Sequence, residues 1–493
     1  MNPRPRQFIV VAIGVILAVW FGRTVADQEF LWPALGAMLV GLMVVQRSAH
    51  SLNTILLGIA LLGYIVGNRG FAQLSVSSLL PILPAEFVIL VCGSVVAVQS
   101  AFRGELPLRR GPLNFAIIGW IALGVVRGGF DLSTHGFLAL RDLAMVYYAA
   151  FFFLAQEAGR DPRSRRFLRN VILAGCLILL PLYELYERYP EFFLSVLTVR
   201  GVPLIYYKGD LVGTFLAVGA VLFFLRYEAE GRIRNIAASL LLAAGAIATN
   251  NRASMLGLLV ATAWLALGGR WRFAVTQAAA GATAILLILI GATIMNIPFK
   301  QTPTYGLYER TLSLVDFRGQ RVYESADSLN KGDNNTFRRV WWQAVFNETM
   351  EGNPIVGLGF GYNLADRFAR EYYAEGAEEF ATRSPHNFLL TIFARMGIVG
   401  LAAFVVVLAI VARRTCRAIR MGPAEAAPWC SIWVIFSAAC LGVVLEGPMG
   451  AVIFWTLLGL ANAEYLDENE EAVGEAAADL IPQVTPDEVP SSL

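Results

Sequence analysis

The chain has 493 residues, of which 57% are hydrophobic and 15% charged, and its mean hydropathy is +0.59. A soluble globular domain carries roughly 25% charged residues, so this balance excludes a soluble protein and points to an integral membrane protein with many spans. The net charge of +2 gives no reason to expect a nucleic-acid partner.

A spanning helix needs about 20 mostly apolar residues, and about 14 stretches qualify. They lie near 7–22, 29–46, 52–67, 84–101, 113–127, 139–156, 167–184, 210–226, 234–250, 253–269, 272–296, 386–412, 428–446 and 449–465. The expected fold is therefore all-α: a polytopic membrane helical bundle of about 12–14 transmembrane helices. The runs are continuously apolar rather than alternating, which excludes an outer-membrane barrel. Arg4 and Arg6 precede the first stretch as in a signal peptide. It leads directly into a second span, however, and Thr24-Val25-Ala26 is a poor cleavage site, so a retained first helix is expected.

Arginine sets the orientation. Arg160, Arg163, Arg165, Arg166 and Arg169 crowd one short loop and Arg413, Arg414, Arg417 and Arg420 another, whereas alternate loops carry scattered cations such as Arg69, Arg127 and Arg252. With the crowded loops inside, the long polar stretch 297–385 faces outside, which in a bacterium is the periplasmic side of the inner membrane. Four regions follow: an N-terminal membrane bundle over 1–296, an outer loop domain over 297–385, C-terminal spans over 386–465, and an acidic cytoplasmic tail over 466–493. The tail holds eight carboxylates, including Asp467 and Glu488, with no basic residue, and Pro482, Pro486 and Pro490 punctuate it, so it is expected to be disordered.

Within the loop, Phe337, Trp341, Val345 and Met350 fall near helical spacing, which predicts a helix over 335–352 ended by Gly352 and Pro354. A glycine-rich turn occupies 357–363, and a second helix is expected over 364–381. Ser384 reads as an N-cap and Pro385 as the first helical residue of the next span. That placement puts His386 in the first turn of a membrane helix.

His386 is the sharpest candidate for chemistry. The chain has three histidines, and His50 and His135 have no patterned neighbours. A helix N-terminus disfavours imidazolium, and a neutral imidazole can take a proton from a hydroxyl. The alternative is a polar residue at the membrane interface. Asn387 can orient that ring, bind a substrate, or cap the helix. Arg252 stands in the short outer connection Thr249–Ser254, close to the membrane plane. Its planar fork suits a diphosphate, and the alternative is a snorkelling side chain. Arg338 and Arg339 precede Trp341 and Trp342 on the loop helix: one arginine can face a phosphate while the other lies on a solvated face. Arg141 and Lys208 are weaker phosphate candidates at outer boundaries. Arg395, about 13 Å deeper than His386 at 1.5 Å per residue, needs a partner, for which Glu446 is a possibility.

Cys92, Cys176, Cys416, Cys430 and Cys440 lie outside the long loop and form no CxxC pair, so neither a disulfide nor a thiolate metal site is expected. The outer loops hold no DxD or HExxH motif and there is no Walker A sequence. No metal and no cofactor are expected.

At these residues the chain resembles the O-antigen ligase and O-antigen polymerase family. The family pattern is an arginine with a tryptophan four residues on, a Pro-x-x-Gly-x-Gly turn, His-Asn opening a span, and Gly-x-x-Gly. Arg338 and Trp342, Pro354 with Gly357 and Gly359, His386 and Asn387, and Gly397 and Gly400 match it in turn. Arg252 occupies the family's short hairpin between earlier spans. The resemblance is specific over about 334–400 and moderate over about 245–265. It implies a C-type glycosyltransferase architecture and a glycan donor on undecaprenyl diphosphate. The implied acceptor is a glycolipid, either lipid A–core or another lipid-linked repeat unit. It also implies that His386 activates the acceptor hydroxyl while Arg252 and Arg338 bind the diphosphate, with inversion at the anomeric centre. Two rivals remain from the residues: a polysaccharide or lipid transporter or flippase, against which the absence of related halves speaks, and a membrane scaffold whose loop is a docking module.

Overall fold

The computed structural model describes residues 51–75, 82–104, 108–249, 251–316, 318–325, 328, 331–372 and 383–479. The expected spans at 7–22 and 29–46 lie outside the described residues. Among the described residues, eight helices are long and apolar enough to cross a membrane, and three shorter apolar helices accompany them. The protein is a multi-pass helical membrane protein.

In chain order the first helices are α1 (Leu52–Val66), α2 (Asn68–Gln73), α3 (Pro84–Arg103) and α4 (Pro112–His135). The span expected over 139–156 is divided into α5 (Phe137–Asp142), α6 (Ala144–Tyr147) and α7 (Ala150–Ala158). Then comes α8 (Pro162–Arg188), capped by the Asp161 carboxylate, which accepts from the Arg163 and Ser164 amides. A two-stranded hairpin, β1 (Thr198–Val199) with β2 (Val202–Pro203), leads into α9 (Gly209–Glu230). Next are α10 (Ile233–Ala248), α11 (Arg252–Leu267) and α12 (Arg272–Ile294).

Helix α9 is the axis of the bundle. It is apolar on every side, and each residue from Leu211 to Leu225 is buried, as a helix without a polar face must be. It packs against α8, α10, α11 and α17 (Pro423–Ala439). The last helix, α18 (Pro448–Asp479), packs against α7 and α17. Three buried amides inside this core partner one another: the Asn114 amide donates to Gln156 at 2.7 Å and the Asn462 amide to Asn114 at 2.8 Å. Helix α18 runs on to Asp479, so helix occupies the first half of the stretch expected to be a disordered tail. Residues 480–493 lie outside the described residues. Between α17 and α18 the chain is non-helical over 440–447, so Glu446 sits in an irregular connection and not on a span.

The long loop holds one helix that periodicity did not reveal, α13 (Pro303–Val315). It is followed by α14 (Lys331–Gly352) and α15 (Asp366–Tyr372). The expected helix over 335–352 is thus four residues longer at its start, and the part of the second expected helix beyond Tyr372 lies outside the described residues. Trp341, Val345, Leu364, Ala365, Phe368 and Ala394 form a small apolar core under the loop. Met350, expected on the apolar face, is exposed.

The loop is fastened to α16 (Phe388–Met421) at a break in that helix. Gly397 has φ 63° and ψ −164°, a region essentially reserved for glycine. The backbone groups that would close two successive turns of a regular helix there bond to the loop instead. The Leu358 and Gly359 amides donate to the Ala394 and Arg395 carbonyls at 2.7 and 3.2 Å. The Ile398 and Val399 amides donate to the Pro354 and Ile355 carbonyls at 2.9 and 3.2 Å. A Cβ at 397 would lie 2.1 Å from the Ile355 carbonyl oxygen, so the close approach itself requires glycine.

Candidate functional site

His386 does not begin a helix. Asn387 is the N-cap of α16, its side-chain oxygen accepting from the Leu390 amide at 3.2 Å, and the helix starts at Phe388. The expectation that Ser384 caps and Pro385 opens the helix is corrected. Asn is as good a cap as Ser, and His386 adopts φ 57°, which a right-handed helix cannot contain. This left-handed conformation costs a non-glycine residue about 1–2 kcal/mol and persists where neighbours over-determine it. Here the Trp342 indole N–H donates to the Pro385 carbonyl at 2.6 Å, and the His386 amide donates to the Ser384 hydroxyl at 3.4 Å. Trp342 therefore orients the histidine through the backbone of the preceding residue. Trp341 lies beside the ring itself, centroids 5.8 Å apart. Of the three roles open to Asn387, its oxygen serves as the cap.

The imidazole is half-buried at the positive end of α16. Burial first, then the nearby Lys208 and Arg338 cations, lower its pKa to about 4, with Asp210 opposing them. A neutral imidazole follows at any ordinary pH. Lys208 pairs with Asp210 at 3.1 Å at the entry to α9. Arg338 is the inward arginine of its pair: it is half-buried, and burial depresses its pKa while Asp210 supports its charge. Arg339 is exposed.

Arg252 is the first residue of α11, behind the Asn251 cap. Asn250 of the same hairpin lies outside the described residues. The Arg252 guanidinium donates to the Asn335 side chain at 2.5 Å, and Asn335 in turn donates to the Ser313 and Asp316 carbonyls at 3.0 and 2.8 Å. The hairpin between α10 and α11 is thereby tied to the start of α14, the helix that carries Arg338. His386, Lys208, Asp210, Arg338 and Arg252 form a chain of electrostatic neighbours.

Two other sequence candidates lie elsewhere. Arg141 is exposed and lines a separate cavity with Arg69, Lys208 and Glu446. Arg395 finds Asp142 at 2.9 Å as its ion-pair partner and donates to the Gly359 and Tyr362 carbonyls at 3.1 and 3.3 Å. Glu446 instead accepts from the Thr391 hydroxyl at 2.8 Å. Asp142 also accepts from the Gly361 amide at 3.0 Å, and Asp131 from the Phe360 amide at 2.7 Å. Arg383 donates to the Gly361 carbonyl at 2.7 Å, and Arg127 pairs with Asp131 at 3.2 Å. The glycine-rich turn is thus a clamp that holds the loop down on α4 and α5.

Asp210, Asp131 and Asp142 were not singled out from sequence. Their signal was present: each is an isolated carboxylate at the boundary of an apolar helix, where an ionised group needs a partner. What the sequence did not show was which arginine each would meet.

Chemically, the site offers a neutral base within the field of two cations, and a further arginine behind them. Such a group can accept a proton while the cations receive developing negative charge. A family model described as O-antigen ligase matches residues 237–405. That segment runs from α10 through the loop into the first half of α16, so it contains Arg252, Arg338, Trp342, His386 and Asn387, while Arg141 and Lys208 precede it. A search of curated proteins finds no match.

Proposed function

On the premise that this chain belongs to the O-antigen ligase and polymerase family through its 237–405 segment, we propose that it is a metal-independent glycosyltransferase. It moves a glycan from undecaprenyl diphosphate to the hydroxyl of a glycolipid acceptor at the periplasmic face of the bacterial inner membrane. The observation that supports this reading is His386: a residue in a left-handed backbone conformation whose half-buried ring neighbours Lys208 and Arg338.

In the proposed step the acceptor hydroxyl oxygen attacks the anomeric carbon from the face opposite the leaving group. Its proton passes to an imidazole nitrogen of His386. The bond from the anomeric carbon to the diphosphate oxygen breaks, the electron pair leaves with the diphosphate, and the configuration inverts. Arg338, with Arg252 behind it, receives the charge that accumulates on the leaving diphosphate. Fixed cations oriented before reaction stabilise such charge without reorganisation. Arg338 is the phosphate-facing arginine, and Arg339 contributes nothing to donor binding.

The test is transfer by purified protein in nanodiscs supplied with a polyprenyl-diphosphate-linked glycan and acceptor. His386→Ala is expected to lose transfer with unchanged yield and unfolding temperature. Full activity in that variant would remove the base. Release of free diphosphate without glycosidic product would instead redefine the reaction as hydrolysis.

A further inference from the structure

The cations around the loop fall into two groups, and Lys208 belongs to both. Arg338 neighbours the His386 ring, and Arg252 neighbours Arg338. On the other side of Lys208 a cavity of about 870 Å³ opens, lined by neither of those arginines nor by His386. Ser384, two residues before the base, is on its wall. This volume is within the range of sites that bury small ligands.

The arginines lining the cavity are not equivalent. Arg383 and Arg395 are consumed by Asp142 and by carbonyls of the glycine-rich turn. Arg69 and Arg141 are exposed. Arg69 lies over the Tyr206 ring at 5.1 Å, and among the described residues Arg141 meets no carboxylate within ion-pair distance. Opposite in charge are three carboxylates: Asp142 is paired with Arg395, Glu446 accepts from Thr391, and the third is Glu86. One of its oxygens accepts both the Tyr147 and Tyr148 hydroxyls, at 2.9 and 2.7 Å, and the other oxygen has no partner. A buried acceptor without a donor is costly. Leu83, Leu140, Met145 and Met449 make the rest of the wall apolar.

Each feature asks for a different part of one ligand. Apolar walls suit a hydrocarbon chain, the partnerless oxygen of Glu86 suits a hydroxyl donor, and the two available guanidinium groups suit a phosphate or carboxylate. We infer that this cavity is a binding site for an anionic glycolipid, that Arg69 and Arg141 read its charge, and that it serves as the acceptor subsite. The last clause rests on the functional reading above, in which Arg252 and Arg338 already hold the donor diphosphate. The acceptor hydroxyl then reaches His386 past Ser384 and Lys208.

The experiment is equilibrium binding to the full chain in nanodiscs, below micellar concentrations, of three probes that differ in headgroup charge: dodecyl glucoside, dodecyl glucuronide and dodecyl glucose 6-phosphate. Farnesyl diphosphate stands in for the donor. At least one charged sugar is expected to bind tenfold or more tighter than the neutral one, and the tighter of the two identifies the anion. The R69Q/R141Q double variant is expected to erase that preference while leaving dodecyl glucoside and farnesyl diphosphate affinities unchanged. Arg141→Glu is expected to invert the preference. Equal affinity for all three sugars in the unaltered protein overturns the proposal, as does a loss of farnesyl diphosphate affinity in R69Q/R141Q. If farnesyl diphosphate binding instead survives R252Q/R338Q, the donor assignment fails, and the cavity is judged by the alkyl sugars alone.

Discussion

Two regions of the loop use the same residue for opposite ends. Under the loop, Arg127, Arg383 and Arg395 are bonded to Asp131, Asp142 and the carbonyls of the glycine-rich turn, and their charge is spent on holding backbone in place. At its rim, Arg338 is half-buried among other cations, with Asp210 as its supporting carboxylate. The difference teaches that an arginine near a membrane surface is not informative by itself. What it is already bonded to decides whether it fastens the fold or waits for a ligand.

The contrast is broken most severely from beneath. Gly397→Ala puts a side chain against the Ile355 carbonyl in a conformation only glycine adopts readily. A cost of about 3 kcal/mol is expected, seen as loss of monodisperse protein on size-exclusion chromatography. Gly281→Ala in α12, where a Cβ meets nothing within 4 Å, is expected to leave the elution profile intact. Equal behaviour of the two would mean that the loop is not seated in the α16 break.

At the rim, Arg338→Gln removes a charged donor worth about 1.5–3 kcal/mol and is expected to weaken polyprenyl-diphosphate binding by tenfold or more. Arg339→Gln, on the exposed side of the same helix, is expected to change it less than twofold. A reversed order would exchange their roles. Trp342→Phe removes the bond to the Pro385 carbonyl, worth about 1 kcal/mol. The expected result is a several-fold fall in kcat with KM for the donor unchanged, because the base loses its placement and the cations keep theirs.

The smallest effect concerns protons. His386 is lowered from 6.5 to about 4, so its neutral form persists well below neutrality. The acid limb of the transfer rate is expected near the folded value rather than near 6.5. Lys208→Gln removes one cause of the lowering and should move that limb upward. The same sign governs stability. Above 6.5 the histidine is neutral folded or unfolded and contributes nothing. As the pH falls from 6.5 toward 4 the unfolded chain takes up the proton first, and the fold loses stability.

Much of this was legible beforehand. Most span positions from residue 52 onward follow from uninterrupted apolar runs, though the run at 428–446 overshoots α17, which ends at Ala439; the helix over 335–352 follows from the spacing of Phe337, Trp341 and Val345. Arg338, Trp342 and His386 stood out by pattern. The start of α16 was misplaced by three residues because Ser384 and Asn387 are equivalent caps locally, and only the tertiary bond from Trp342 to Pro385 favours one. Helix α13 was missed because its buried positions include Glu309 and Arg310, whose polarity hides the apolar period. Partner choice for Arg395 was beyond reach: sequence offers Glu446, and the fold brings Asp142 to it instead.

The interruption of α16 at Gly397 also bears on how the chain is made. Residues 354–359 leave the ribosome before residues 394–399, so the piece that completes the helix already exists when the helix is made. A chain whose loop was not seated there would present the amides of Ile398 and Val399 and the carbonyls of Ala394 and Arg395 with nothing to bond. Each such orphan costs several kcal/mol where water is excluded. Seating of the loop is thereby coupled to completion of α16.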